Sequence, residues 1–226
     1  GKLMHMIGDK TVIRHTYENT VATRLFDEVI VVTDSEIIFK EIIQNGGYAL
    51  MSRSSHESGS DRIAEAVADL EVDIILNVQG DEPFLNRESL QKLLAVFKEE
   101  QGKYIQVASL MKIIMDNDLI NDPNCVKVVI DRNMNSLLFS RSVIPYPRDK
   151  DSQIIYYQHI GVYAFRKNAL MNFTTWPITY LEAAEKIECL RYLEHGVQLK
   201  MVITEYNGIA IDTTNDLDKA KNFYAI

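Results

Sequence analysis

Cysteine is scarce in this sequence. Only Cys125 and Cys189 occur in 226 residues, far apart and without metal-ligand spacing. That argues against a zinc site and fits a reducing, cytoplasmic setting. No apolar run approaches the roughly 20 residues of a membrane span, so no membrane role is expected. Excess positive charge is also missing: 24 Lys and Arg stand against 32 Asp and Glu, a net charge of −8. A general nucleic-acid binder normally carries a basic surface, so nucleic acid is not an expected partner. The same balance means that an anionic substrate would need locally clustered Arg and Lys, a metal ion, or both. Repeats, low-complexity tracts and Pro/Gly linkers are absent, and 1–226 reads as one domain.

What the chain does contain is alternation. TVIRHTYENTVATR (11–24) reads as a helix and EVIVVT (28–33) as a strand apolar nearly throughout, as in a sheet covered on both faces. SEIIFKEIIQN (35–45) is an amphipathic helix with Ser35 placed to cap its start and Gly46 to stop it. Strands are predicted at 48–51 and 73–79, and helices at 60–70 and 87–100. Such βα alternation predicts an α/β fold with a mostly parallel sheet. From 104 to 166 the pattern changes: strands at 104–114, 125–131, 136–140 and 159–166 follow with little helix between them. An antiparallel excursion is expected there. One helix over 180–194, a strand at 198–205 and a C-terminal helix complete the chain.

In open α/β sheets ligands bind outside the carboxyl ends of strands. The run NVQGDEP (77–83) places Gly80, Asp81 and Glu82 at such a tip, although Asp-Glu-Pro is also ordinary turn chemistry. Asp34 ends an earlier strand and reads as a turn or cap residue. Asp212, in IDTT, marks a third tip. Two carboxylates from separate tips suit Mg²⁺, which takes one or two carboxylates together with waters and phosphate oxygens. SRSSHESGSDR (52–62) is small, polar and basic. Ser58, Gly59 and Ser60 allow backbone N–H groups to approach an anion at a helix start, with Arg53 and Arg62 near. It lacks the Gly-Lys-Ser/Thr of a P-loop, and a plain surface loop is the alternative.

Taken together, GKLMHMIGDKTVI, EVIVVTD, HESGSDR, NVQGDEP, FSRSVIPYPRD (139–149), QHIGVYAFR (158–166), LEAAEKIECLRYLEHG (181–196) and IDTTNDLDKA (211–220) resemble one family end to end. That family is the 3-deoxy-manno-octulosonate (KDO) cytidylyltransferases. The resemblance implies a Rossmann-like nucleotidyltransferase fold, a mostly parallel mixed sheet flanked by helices with a small antiparallel dimerisation extension. It implies transfer of CMP from CTP to the anomeric hydroxyl of KDO for lipopolysaccharide synthesis, with Mg²⁺, in a cytoplasmic homodimer. It places CTP and metal mainly in 1–115 and 195–226, and sugar binding and dimerisation in 116–194.

Residue by residue, the resemblance makes Asp81 and Asp212 metal ligands and Lys2 a catalytic and nucleotide-binding residue. Arg53, Ser58, Gly59, Arg62 and Gln79 fall at nucleotide positions. Arg141 is the partner expected for the sugar carboxylate, because a guanidinium grips carboxylates bidentately. His159, Tyr163, Glu188 and Cys189 fall at sugar positions, though a strand His and Tyr also read as core. Three departures stand out. The family's opening strand and phosphate loop would precede Gly1. Leu3 stands where the family has proline. Cys189 replaces a glutamine and so loses an amide, which leaves another acid sugar (an 8-amino KDO or a sialic acid) open. A nucleotide-binding subunit without turnover is the other alternative.

Overall fold

The structure is a computed structural model, and it describes residues 1–53, 56, 58–149, 153–206, 211 and 214–224. In chain order its elements are β1 (Met6–Ile7), β2 (Lys10–Thr11), α1 (Val12–Ala22), β3 (Val31–Thr33), α2 (Glu36–Gln44), β4 (Ala49–Met51), α3 (Gly59–Val67), β5 (Ile74–Asn77) and α4 (Arg87–Ala95). They continue with β6 (Val107–Ile113), α5 (Asn117–Asn121), β7 (Lys127–Ile130), β8 (Ser136–Ser140), β9 (Tyr157–Arg166) and α6 (Lys167–Phe173). The last are α7 (Tyr180–Glu185), α8 (Leu190–Glu194), β10 (Leu199–Ile203) and α9 (Thr214–Tyr224). The chain divides into two compact units, one of Gly1–Leu70, Val78–Gln91 and Tyr206–Ile226, the other of Glu71–Asn77 and Lys92–Glu205.

The first unit starts with a tight hairpin, β1 against β2, whose Thr11 side chain caps α1 by accepting from the Arg14 N–H at 3.3 Å. Ser35 caps α2 through the Ile38 N–H, and Gly46 follows the helix end at φ +77°, both as the sequence predicts. Glycine is favoured there because a left-handed residue closes the helix without a Cβ clash. β3 and β4 pair in parallel, Val31 opposite Ala49. Two apolar clusters support this unit. Ile7, Val12, Ile211, Leu217 and Ala220 pack together with Leu3 and Phe84, and Ile13, Ile42 and Ala49 pack with Leu3, Met4 and Tyr17.

The second unit holds a six-stranded mixed sheet in the order β10-β6-β9-β7-β8, with β5 also paired to β9. Among its described strands only β10 and β6 pair in parallel. β9 runs antiparallel to β5, β6 and β7. The mostly parallel pairing expected from the alternation is therefore corrected among the described strands. β5, β6 and β10 do run in one direction, as βα alternation requires. A long strand from later in the chain is inserted between β5 and β6, and every ladder it makes is antiparallel. Its burial explains the insertion: Ile160, Val162, Ala164 and Phe165 are buried together with Val107, Leu110, Met111 and Phe139.

Two further differences bear on function. The expected helix over 180–194 is two helices, α7 and α8, separated at Lys186, which adopts φ +54°. Glu188 and Cys189 thus lie in the break and not on a continuous amphipathic face. At Gly102, just after α4, an added Cβ would stand 2.4 Å from the Phe97 carbonyl oxygen and 2.6 Å from that of Val96. Backbone cannot yield as a side chain does. Gly102→Ala is expected to cost roughly 1–3 kcal/mol, as overpacking does. Urea unfolding should show a lower midpoint at unchanged slope, and an unmoved midpoint would mean that the turn shifts freely.

Candidate active site

The NVQGDEP loop is held at four consecutive residues, all from within the first unit. The Thr16 hydroxyl donates to the Gly80 carbonyl at 2.8 Å, and the Asn19 amide donates to the Pro83 carbonyl at 2.5 Å. The Ile211 N–H donates to the Asp81 carbonyl at 3.0 Å. The Tyr206 hydroxyl donates to the buried Glu82 carboxylate at 2.8 Å. Burial, then the Glu82 charge, pushes the Tyr206 phenol well up, so it stays a donor. The Gln79 carbonyl accepts from the Glu82 N–H at 3.1 Å and closes the turn. A Cβ on Gly80 would meet Ile13 and Leu3 at 3.0 and 3.2 Å, which is why glycine stands there.

So fixed, the loop presents Asp81. Its Oδ2 accepts from the Lys2 ammonium at 2.5 Å, and both side chains remain partly exposed. Lys2 and Asp81, each singled out separately in the sequence, are therefore brought together across 79 positions. Asp212 lies outside the described residues, but Ile211, its neighbour in the chain, is bonded to Asp81 itself. Among the described residues no group of three or more His, Cys, Asp or Glu could hold a metal. Mg²⁺ does not require one: a carboxylate or two plus phosphate oxygens suffices. A hard carboxylate oxygen that already faces a cation, on a braced loop, fits such an ion.

The described end of HESGSDR, from Ser58 to Arg62, is a helix entrance. Ser58 caps α3, accepting from the Asp61 N–H at 3.2 Å and donating to the Asp61 carboxylate at 2.8 Å. Gly59 is the first helical residue, with open space where a Cβ would be. Each cation nearby has an acidic partner on this chain. Arg62 meets Asp34 at 3.2 Å, and Arg53 Nε meets Glu65 at 3.1 Å. His56 Nε2 lies 2.5 Å from the same Glu65, and this bond, ahead of the Arg53 amide, holds the Glu65 carboxyl below its ordinary value. Sequence reasoning missed Glu65, Tyr206, Thr16 and Asn19. No local motif marks them: Thr16, Asn19 and Tyr206 act on residues 64 or more positions away, and Glu65 on Arg53 and His56, 12 and 9 positions before it.

The residues predicted to meet the sugar all belong to the second unit. Arg141 lies beyond β8, where Glu185 clamps the corner by accepting from the Ser140 hydroxyl at 2.6 Å and the Arg141 N–H at 2.9 Å. Its guanidinium donates from Nε to the Glu185 carbonyl, from Nη1 to that of Pro123 and from Nη2 to that of Lys186, at 2.7, 2.9 and 3.4 Å. Each Nη keeps one more N–H that a carboxylate could accept. The buried Lys127 ammonium donates to the Arg141 and Asp122 carbonyls at 2.6 and 2.9 Å, and burial lowers its pKa.

β9 carries His159 and Tyr163 on one face, ring centroids 5.4 Å apart, with Phe139 edge-on to His159 at 4.8 Å. Tyr163 is hydrogen-bonded to Cys189, and burial pushes both the phenol and the thiol up, so both are neutral. Cys189 is only 1 % exposed, which leaves Tyr163 as the group through which it would act on a ligand. Glu188 is half-buried beside them, and its charge contributes to both shifts.

Burial lowers the half-buried His159 imidazole from 6.5 to about 3. Between those values the unfolded chain binds a proton that the folded chain does not. Stability is thus present in full above 6.5 and is lost as pH falls towards 3. His159→Gln should flatten that loss. Urea midpoints at neutral and mildly acidic pH test it, and equal acid sensitivity in both proteins would show that His159 is not a source.

The sequence pattern of one protein family, cytidylyltransferase, matches residues 1–202. The 3-deoxy-manno-octulosonate cytidylyltransferase of Flavobacterium johnsoniae is 59% identical over 97% of this chain and 90% of its own length. That of Christiangramia forsetii is 54% identical over 98% and 89%. Among solved structures, CMP:2-keto-3-deoxy-manno-octonic acid synthetase complexed with CTP superposes with a TM-score of 0.93 at 34% identity, covering 100% of this chain and 92% of that one. The 4-diphosphocytidyl-2C-methyl-D-erythritol synthase of Anaerococcus prevotii shares the fold, with a TM-score of 0.66 at 17% identity over 99% and 93%.

Proposed function

We infer that this chain, which belongs to the 3-deoxy-manno-octulosonate cytidylyltransferase family, forms CMP-KDO and pyrophosphate from CTP and KDO. In that family the product serves lipopolysaccharide biosynthesis. The observation that carries the reading is the braced Asp81, ion-paired with Lys2 and bonded through its carbonyl to Ile211.

On this reading the first unit receives the nucleotide. Asp81 and Asp212 would hold Mg²⁺, which supplies charge neutralisation at the α-phosphate and lowers the pKa of an attacking hydroxyl. Lys2, already beside Asp81, gives the phosphates a second positive charge. Ser58, Gly59 and the start of α3 offer N–H groups to an anion, and Arg53, Arg62 and Gln79 complete the set. Triphosphate oxygens would take the arginines from Glu65 and Asp34. Before that exchange the paired carboxylates keep these cations from binding other anions.

The second unit receives the acid sugar. The remaining Nη N–H groups of Arg141 take its carboxylate, and His159, Tyr163 and Glu188 meet its hydroxyls. Cys189 sets the orientation of Tyr163 and so acts on sugar choice at one remove. Positioning and neutralisation of two anions supply the catalysis, and no side chain is assigned as general base. We take the protein to be a homodimer; the large exposed side chains Tyr146, Ile155, Ile178 and Tyr180 suit a self-contact.

The test is direct. CTP, KDO and Mg²⁺ should yield one pyrophosphate per CMP-KDO. A sialic acid in place of KDO should yield little. Absence of turnover, or a preference for the sialic acid, would overturn the reading.

A further inference from the structure

The ladder between β6 and β9 breaks at one step. Ser109 pairs with Tyr163, but the next residue, Leu110, pairs with Ile160, so Gly161 and Val162 are extra on β9. Ser109, with no exposed surface, fills this bulge. Its Oγ lies 3.2 Å from the Ile160 carbonyl oxygen, 2.9 Å from that of Val162 and 2.9 Å from His159 Nε2. A hydroxyl has one proton and two lone pairs. The two carbonyls can only accept, and at 2.9 and 3.2 Å they draw the single hydroxyl proton towards them. The remaining neighbour, Nε2, must then donate. A neutral imidazole that donates from Nε2 has a bare Nδ1. Phe139 and Tyr163 flank the ring, and the His159 backbone N–H is spent on the Val126 carbonyl at 2.8 Å. Nδ1 makes no hydrogen bond with the described residues.

We propose that Ser109 is a positioning residue for sugar recognition: it accepts the Nε2–H of His159, fixes that tautomer, and leaves Nδ1 as an acceptor for one hydroxyl of the sugar. The inference rests on the reading that His159 meets the sugar. Ser109 itself is wholly buried and touches no substrate. The bulge serves the same end, since it brings the Ile160 and Val162 carbonyls together within reach of the Ser109 hydroxyl. Bulges next to sites commonly re-aim a side chain in this way. The depressed basicity of the ring agrees, because a neutral imidazole is required at working pH.

The experiment combines ring-nitrogen NMR of ¹⁵N-histidine protein with steady-state kinetics. In the unaltered protein His159 should show a protonated Nε2 and a bare Nδ1; the opposite tautomer overturns the proposal without any variant. In Ser109→Ala, and in the closely sized Ser109→Cys, the tautomer should become mixed. KM for KDO should rise about tenfold, the worth of one well-aimed neutral hydrogen bond, with KM for CTP unmoved. His159→Ala separates the two levels. If it leaves the KDO constant unchanged, the placement of His159 at the sugar falls and the proposal with it. If it raises that constant while the Ser109 variants change neither tautomer nor KM, the placement stands and the role of Ser109 falls.

Discussion

Asp81→Asn lowers the rate of pyrophosphate release by about 10²–10³, the usual consequence of removing one charge-stabilising group from a preorganised site. Thermal unfolding stays near that of the parent. Asparagine keeps the shape of the side chain, and the loop does not depend on the Asp81 carboxylate: it is pinned through the Gly80, Asp81 and Pro83 carbonyls and the Glu82 side chain. The ion pair that is lost, Lys2 to Asp81, is partly exposed, and such pairs contribute at most about 1 kcal/mol. What disappears is the negative charge that would hold the divalent ion. Mn²⁺ binding, followed by its paramagnetic resonance in the presence of CTP, should weaken in parallel with the rate. A variant that turns over at the parental rate in saturating Mg²⁺ would remove Asp81 from the mechanism.

Glu182→Ala destabilises the protein by about 3–5 kcal/mol, the cost of stripping one partner from a buried ion pair. For a chain of this size that is a fall of roughly 6–20 °C in Tm. The Glu182 carboxylate accepts from Arg191 Nε at 2.7 Å and Nη2 at 2.6 Å, and both residues are buried. The same guanidinium donates to the Trp176 carbonyl and lies 4.0 Å from the centre of the Phe173 ring. Alanine at 182 takes from that buried cation the carboxylate that accepts from two of its nitrogens. Replacing both partners, as Glu182→Leu with Arg191→Met, should recover most of the loss, because the apolar pair has no charge to desolvate. The double-mutant cycle decides the matter. Additive losses would show that the pair does not couple, and that the packing of α7 on α8 rests on other groups.

The pair also explains what the sequence could not show at 180–194. LEAAEKIECLRYLE has the spacing of one amphipathic helix, and nothing in it breaks that pattern. The break at Lys186 is made by tertiary partners: Glu182 on Arg191 from the helix side, and Glu185 on Ser140 and Arg141 from β8. A left-handed lysine is tolerated only where such surroundings over-determine it. With the break, Glu188 and Cys189 leave the helix face and approach Tyr163.

Other features were legible because their causes are local. Strand and helix periods, the Ser35 cap and the Gly46 stop depend on residues within a few positions of one another. NVQGDEP was legible as a tip for a similar reason, since Gly, Asp and Pro state a turn wherever they stand together. From composition and local pattern alone, the sequence determined an acidic α/β protein with candidate carboxylates at its strand tips. Tertiary structure alone decided what braces those tips. Thr16 reaches Gly80 across 64 positions and Tyr206 reaches Glu82 across 124. It alone decided that β9 would run antiparallel between β5 and β6, with a bulge that turns Ser109 towards His159. The physical reason is common to these cases. A hydrogen bond between distant residues leaves no periodic trace in the chain, because each partner is chosen by where the fold brings it and not by its neighbours in sequence.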